Sequence, residues 1–352
     1  MKKVTFVITH FSSGGAERVL SIIADSFAKK TEYDVTVVML EEYRADYDIN
    51  PAIHVVAIKK PQNKIKRLFY RIVKLREIFQ NTDVIISFLW HINLYTIVSS
   101  ALLSKRVIIS DRSDPNNELI GNSSFIKQLR RYMYGLADCI VFQMPDAKNY
   151  YPAKVQKKSC IIPNPINPLL PVPNLGTRDK SILIAGRLAP QKNIQLAIKA
   201  FYKFSKIHND YVLKIFGQGP QKNELESLIR KLGITSKVRL EGFSDRIYEE
   251  MNKAGMYLST SNYEGISNSM LEALGLGMPV IVTDCPVGGA RQYVKNGKNG
   301  ILIPVNDENA LLHAMNYIAD NSEFAHKLSL NAVQIREQLA ADKISKMWED
   351  LL

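Results

Sequence analysis

The stretch Met256–Asp284, MYLSTSNYEGISNSMLEALGLGMPVIVTD, decides the fold. It opens on an apolar run of strand type, closes on another, and carries a helical pattern between them. The helix start falls near Ser267 or Asn268, both residues whose side chains accept from a free backbone N–H. Strand, helix and strand in so short a span make a parallel crossover unit. Two glutamates bracket the helix start: Glu264 lies in the loop and Glu272 about one turn inside the helix. Between them, backbone N–H groups without helical partners carry a partial positive charge and favour an anionic ligand. A phosphate seated there leaves a carboxylate on either side to accept from hydroxyls, which suits a nucleotide-sugar. On spacing alone the pair reads first as two unrelated surface carboxylates, one of them near a helix N-terminus.

The same alternation runs through the chain. Strand-like segments in the first half are VTFVIT, DVTVVML, IHVVAI, DVIISFL, RVIIS and CIVFQ; in the second they are SILIAG, YVLKIFG, KVRLEG, MYLST, VIVTD and GILIPV. The expected architecture is α/β, with two Rossmann-like doubly wound parallel-sheet domains facing across a cleft. The run IPNPINPLLPVPN, with prolines at 163, 165, 168, 171 and 173, continues neither a helix nor a central strand. It sets the expected boundaries: residues 1–165 as the first domain, 166–178 as a linker, and 179–339 as the second domain. A last helix over 340–352, with Ile344, Met347, Trp348 and Leu351 at helical spacing, is expected to complete the first domain.

At 352 residues the chain is long enough for two cores, and its 23% charged residues are ordinary for a water-exposed globular protein. It has no apolar run of the ~18 residues that a membrane span needs. The N-terminal MKKVTFVIT reads as a first strand rather than a signal peptide, and Cys139, Cys160 and Cys285 form neither a disulfide framework nor a metal spacing. A cytoplasmic location follows as an expectation. Of the net charge of +12, residues 1–170 hold +9 (24 basic against 15 acidic) and the remainder +3 (22 against 19). A basic half attracts nucleic acid, anionic lipid or phosphorylated substrates, and charge alone does not choose among them. Residues 59–76, KKPQNKIKRLFYRIVKLR, hold eight basic residues and no acid. Ile65, Leu68, Phe69, Ile72 and Leu75 share a helical face, with Lys64, Arg67, Arg71 and Lys74 flanking or opposing it. A basic amphipathic helix binds anionic membrane surfaces; a core-facing helix explains the stripe but not the missing acids. Nucleic acid is not expected, because the basic residues alternate with an aliphatic face rather than with aromatics.

The motifs together resemble those of the GT4 family of retaining glycosyltransferases, of GT-B fold. Glu264 to Glu272 matches its E-x7-E signature, and GRLAPQKN resembles its phosphate-binding segment. SSGGAER resembles its glycine-rich first loop, while FGQGP, EGF and CPVGGARQYVKNGKNGILIP follow in the family's order. The resemblance implies Arg187 and Lys192 on the donor diphosphate, Glu264 on hydroxyls of the donor sugar, and Glu272 on the ribose. It further implies the amides of Gly265, Ile266, Ser267, Asn268 and Ser269 on sugar and phosphate, Gly217 in the donor loops, and Gly242 and Phe243 at the base. Gly14 and Gly15 would approach the donor or acceptor, and His10 and His91 are cleft-loop candidates. The segment VIISDRSDP departs from many relatives, which carry a His there; here Asp111 and Arg112 stand instead. Arg112 cannot act as a base, so beside the reaction centre its role would be electrostatic or positional.

A diphosphate demands cations, and two basic side chains supply them without a metal. The one Asp-x-Asp, Asp46-Tyr47-Asp48, follows EEYRA rather than a strand, and no two of the six histidines stand at ligand spacing. No metal or other cofactor is therefore expected beyond the donor substrate. The resemblance implies transfer of a hexose or N-acetylhexosamine from a UDP-sugar to a lipid-linked or cell-envelope glycan. The expected place is the cytoplasmic face of the inner membrane, with peripheral contact. A nucleotide-sugar epimerase on the same fold, or a non-catalytic partner subunit, is the alternative; neither would release UDP in an acceptor-dependent way.

Overall fold

In the first half, apolar segments become β1 (Lys2–Ile8), β2 (Tyr33–Met39), β3 (His54–Ala57), β4 (Val84–Phe88), β5 (Arg106–Asp111), β6 (Cys139–Phe142) and β7 (Ser159–Ile161). The computed structural model describes residues 1–11, 14–41, 49–58, 61–112, 114–115, 124–286 and 288–352. Asp46 and Asp48 lie outside them, as does the side chain of Lys64. The strands pair in parallel in the order β3-β2-β1-β4-β5-β6-β7. Helices cover both faces of such a sheet, so its central strands are apolar almost throughout. Val4, Phe6, Val7, Ile85 and Ile86 are accordingly buried. Strand β7 has no counterpart in the sequence reading: at three residues, SCI, it is too short to show a period, and its pairing with β6 alone defines it.

The second half repeats the plan with β8 (Asp179–Ala185), β9 (Val212–Phe216), β10 (Val238–Gly242), β11 (Ala254–Ser259), β12 (Val280–Thr283) and β13 (Ile301–Ile303). Their order is β10-β9-β8-β11-β12-β13, again parallel. Ile182, Leu213, Ile215, Leu258 and Ile281 from the sheet pack with Phe201 and Phe204 of the helix Ile194–Phe204 in one core. In each sheet the order reverses once, between β1 and β4 and between β8 and β11. The loops at the carboxyl ends of those strands part there, and ligands of such sheets bind in that gap.

Packing divides the described residues into two units, Met1–Pro165 with Leu339–Leu352, and Ile166–Gln338. The proline-rich stretch 166–178 is not a free tether but part of the second unit. Ile166 and Leu170 are buried, and the Leu170 and Pro171 carbonyls accept from the Arg336 guanidinium at 3.0 and 2.8 Å. Arg178 closes the stretch by donating to the carbonyls of Asn252, Ala254 and Leu276 at 3.0, 3.2 and 2.6 Å. Burial pulls its pKa down to about 10, which still leaves it charged at neutral pH.

The last helix, Ala341–Glu349, packs within the first unit against the helix Gly15–Ala28. Ile344 and Trp348 are buried, whereas Met347 is 39% exposed and lies off the buried face on which its spacing placed it. The Trp348 ring stacks on Phe88 at the end of β4, centroids 5.4 Å apart. Replacing Trp348 by Ala removes a fully buried ring and is expected to cost about 3–5 kcal/mol. Chemical denaturation with separate probes for each unit checks this, because the loss belongs to the first unit's transition.

Candidate functional site

At the reversal point of the second sheet, the loop after β8 carries Gly186 to Asn193 and the loop after β11 carries Thr260 to Ser267. These loops are joined by backbone and side-chain hydrogen bonds. Asn262 N–H donates to the Gln191 carbonyl at 2.8 Å and the Asn262 amide to the Pro190 carbonyl at 3.1 Å. The Gln191 amide donates to the Tyr263 carbonyl at 2.9 Å, and Thr260 Oγ1 to the carbonyls of Lys192 and Asn193, both at 3.0 Å. Asn193 sits in the left-handed region (φ +44°), which Asn tolerates better than most residues and which turns the chain into the next helix.

This lacing brings two predicted residues together. Lys192 Nζ meets Glu264 Oε2 at 2.5 Å, and Ser261 Oγ donates to the same oxygen at 2.8 Å. Both charged side chains are about one-fifth exposed, so the pair is shielded yet reachable. To the separate roles expected of Lys192 and Glu264 the structure adds a direct bond between them. An ammonium has three donors, and one directed at Glu264 leaves two. Glu264 Oε1 likewise has no partner among the described residues. Arg187 stands in the same loop, exposed and without a side-chain partner among the described residues. Beneath, the Ser261 carbonyl accepts from Thr283 Oγ1 at 2.6 Å and from Cys285 Sγ at 2.9 Å. Burial pushes the Cys285 thiol up to about 11, so it remains a protonated donor.

The helix Asn268–Gly275 starts where the sequence placed it, with Ser267 as its cap: Ser267 Oγ accepts from Met270 N–H at 3.4 Å. Ser269 donates to the Ala185 carbonyl at the end of β8, at 3.0 Å, and accepts from the Tyr257 hydroxyl at 2.8 Å. The helix N-terminus is thereby fixed over the strand ends. Ile266 is buried beside it. Glu272 is also buried, 5% exposed, with Oε1 accepting from Tyr248 Oη at 3.2 Å; Asn167 in turn donates to that hydroxyl at 2.8 Å. Tyr248 and Tyr257 were not foreseen, since an isolated tyrosine carries no spacing signal. The hydroxyl- and amide-rich run Thr260 to Asn262 after an apolar strand was the available clue to the lacing.

Gly217, after β9, has φ +137°, and a Cβ there would sit 1.9 Å from the Gly186 carbonyl oxygen. Gly217 N–H donates to the Gly242 carbonyl at 2.7 Å, which ties the loops after β9 and β10 to the one after β8. Phe243 follows, 64% exposed, as an aromatic surface beside those loops. A small cavity at the strand ends is lined by Gly186, Lys192, Tyr257, Ser259, Thr260 and Ser261. A larger hollow of about 380 Å³ lies against residues 292–299 and 327–338 at the opposite, amino end of β13, and none of the predicted donor residues lines it. The strand-end gap is the better candidate because the charged pair and the capped helix converge there.

In the first unit, the reversal point places His91 beside Thr9, Nε2 to Oγ1 3.3 Å. Burial, with the Arg71 charge second, holds the His91 pKa below its usual value. Arg71 is not the solvent-facing cation the sequence suggested: it is buried, donates to the Leu40 carbonyl at 2.7 Å, lies 3.6 Å from Glu41 and stacks over Tyr95. Lys74 pairs with Glu77 at 2.6 Å, and Arg67 donates to the Pro61 and Gln62 carbonyls. Gly14 precedes the helix Gly15–Ala28, and a Cβ there would lie 2.0 Å from Glu17 Oε2, so the carboxylate folds back under the glycine. Arg112 is 9% exposed and stacks on Phe88 and Trp348 at 4.9 and 5.9 Å, a placement that braces the last helix. Among the described residues no group of three His, Cys, Asp or Glu side chains is placed to hold a metal ion.

Residues 169–334 match the family model described as glycosyl transferases group 1. The chain is 26% identical to an uncharacterized glycosyltransferase of Haemophilus influenzae, covering 100% of both. It is 28% identical to the N-acetylgalactosamine-N,N'-diacetylbacillosaminyl-diphospho-undecaprenol 4-alpha-N-acetylgalactosaminyltransferase of Campylobacter jejuni, covering 100% of this chain and 99% of that one. Among solved structures, Anabaena HepE in complex with UDP and glucose aligns with a TM-score of 0.84 at 17% identity, over 99% of both chains. At that identity the likeness speaks for the fold, which is GT-B.

Replacing Gly217 by Ala is expected to cost at least ~2 kcal/mol, from backbone strain and the clash with Gly186. A thermal melt lowered by several degrees, with the first unit's transition unmoved, is the result to look for.

Proposed function

We propose that the chain, whose residues 169–334 match the group 1 glycosyl transferases, is a retaining glycosyltransferase that moves a hexose or N-acetylhexosamine from a UDP-sugar to a hydroxyl of a lipid-linked glycan. The observation that carries the proposal is the Lys192–Glu264 pair in the loops next to the capped start of the helix Asn268–Gly275, with Arg187 exposed in the loop that holds Lys192 and without a side-chain partner among the described residues. Arg187 and the two remaining Lys192 donors suit the diphosphate. Glu264 Oε1 suits a sugar hydroxyl, and Glu272, oriented by Tyr248, suits the ribose. UDP is the nucleotide favoured by the HepE complex, and a lipid-diphosphate acceptor is favoured by the Campylobacter relative's name.

In the proposed reaction the bond from the sugar's anomeric carbon to the β-phosphate oxygen breaks while the acceptor oxygen bonds to that carbon from the same face. The acceptor proton passes to the departing phosphate oxygen. Negative charge grows on that phosphate, and fixed cations and helix N–H groups stabilise it most at that moment. No residue need serve as nucleophile and no metal is required, since Arg187 and Lys192 supply the positive charge. The carboxyl-end loops of the first unit, with Thr9 and His91, are left to read the acceptor.

Acceptor-dependent UDP release from UDP-hexoses and UDP-N-acetylhexosamines, with a polyprenyl-diphosphate glycan, tests the reading. Interconversion of the UDP-sugar without acceptor would establish an epimerase instead. Arg187→Ala is expected to lower kcat/KM by ~100-fold or more, the scale of one lost transition-state donor. Glu272→Ala should weaken UDP binding by about tenfold or more in calorimetry, as loss of a charged hydrogen bond does. Exhaustive chelation should leave turnover unchanged, and a loss restored by Mn²⁺ or Mg²⁺ would refute the metal-free scheme.

A further inference from the structure

Two helices of the first unit are turned the wrong way round for a water-facing surface. In the helix Lys64–Gln80, Arg71, Leu75 and Phe79 point inward while Ile65, Phe69 and Val73, at i, i+4 and i+8, point outward. Phe69 is 63% exposed and Ile65 69%. The apolar face that a core-packing helix would bury is thus split, with only its Leu75 end inside. In the helix Ser124–Met133 the inversion is stronger. Arg130 is fully buried, donating to the Pro115 carbonyl at 3.0 Å and lying over the rings of Tyr150 and Tyr151. Phe125, Leu129 and Tyr132, followed by Leu136 just past the helix, form one outward line, with Phe125 and Tyr132 69% and 73% exposed. A soluble helix shows the reverse arrangement.

These helices belong to one surface. The helix Lys64–Gln80 packs on Trp90–Ser100, which packs on Ser124–Met133, and the middle one adds exposed Val98 and, in the turn after it, Leu102. Of the nineteen large apolar side chains exposed among the described residues, ten lie here, whereas those of the second unit are scattered. Exposed apolar side chains gathered on helices that pack side by side mark an interaction site. Its charge indicates the occupant: leaving out the buried Arg71 and Arg130, the three helices hold seven basic residues and a single acid, Glu77, which is paired with Lys74. Lys66 and Lys127 have no acidic partner among the described residues. Aromatic and aliphatic side chains among unpaired cations match the headgroup layer of an anionic bilayer.

We infer that the helix Ser124–Met133 with Leu136 is a second bilayer-inserting element, and that with Lys64–Gln80 and the Val98–Leu102 end of the middle helix it makes a three-helix docking face for anionic lipid. The inference extends the membrane contact expected of residues 59–76. It rests on the lipid-linked reading of the acceptor only for its biological purpose. Two separated insertion points fix the first unit's orientation on the bilayer, which one amphipathic helix cannot do. Among the described residues no helix is long and apolar enough to cross a membrane.

Full-length protein is sedimented with vesicles of phosphatidylglycerol and phosphatidylethanolamine, and with phosphatidylcholine vesicles for comparison. Wild type should partition at least tenfold better onto the anionic vesicles. The double variants Phe125→Ser/Tyr132→Ser and Ile65→Ser/Phe69→Ser should each lose tenfold or more of that partitioning. Their melting temperatures and UDP binding should stay at the wild-type level, since these side chains are exposed and lie outside the donor loops. Wild-type partitioning by the Phe125/Tyr132 variant would overturn the inference even if the Ile65/Phe69 variant fails to bind. Equal binding to neutral and anionic vesicles, or gel filtration showing that the patch buries itself in a dimer, would overturn it too. Failure of UDP binding in the wild type would strike the proposed function and leave the vesicle result standing.

Discussion

The second unit's site depends on one ion pair closing a gap that its topology opens. Where a parallel sheet reverses its strand order, neighbouring loops leave in opposite directions and their backbone groups lose ladder partners. Here Lys192 and Glu264 span that gap, 72 residues apart in sequence. A pair that is four-fifths shielded is worthwhile only if its remaining polar atoms are satisfied or kept for a ligand. Ser261 satisfies one oxygen, and the bonds from Thr283 and Cys285 to the Ser261 carbonyl hold Ser261 in place. The GRLAPQKN and E-x7-E segments, separate motifs in the sequence, are one hydrogen-bonded unit in the fold.

Much of the fold was legible because parallel strands buried on both faces advertise themselves as short apolar runs, and the sheets contain every strand so identified. Strand β7 escaped because three residues carry no period. Met347 was misplaced because helical spacing defines a stripe and not its width. The same limitation concealed the outward faces of 64–80 and 124–133: periodicity finds an apolar line, but which side it faces depends on what the other side can bury. There the buried partners are arginines, Arg71 and Arg130, whose ends meet backbone carbonyls. At the site, charged residues were legible through motif and family resemblance. Their mutual pairing, and the tyrosines that orient them, were not, because hydrogen-bond partners are fixed by tertiary placement.

The first unit shows why formal charge is a poor guide by itself. Part of the excess of basic residues in the first half is internal: Arg71, Arg112 and Arg130 are all nine-tenths buried or more, stacked on aromatic rings. Guanidinium suits this use because it is planar, weakly hydrated and rich in donors. What remains outside is fewer cations than the composition suggests, set among apolar side chains. That mixture, rather than the total, separates a lipid-facing surface from one that tracks a polyanion.

The hydroxyl string from Tyr257 through Ser269 to the Ala185 carbonyl forms the floor beneath the helix start. Burial drives the Tyr257 hydroxyl well above its ordinary range, so this floor bears no ionising group across physiological acidity. The Tyr257 hydroxyl therefore stays a donor to Ser269 throughout that range. A pH dependence of this site would arise in the side chains around the floor, not in the floor itself.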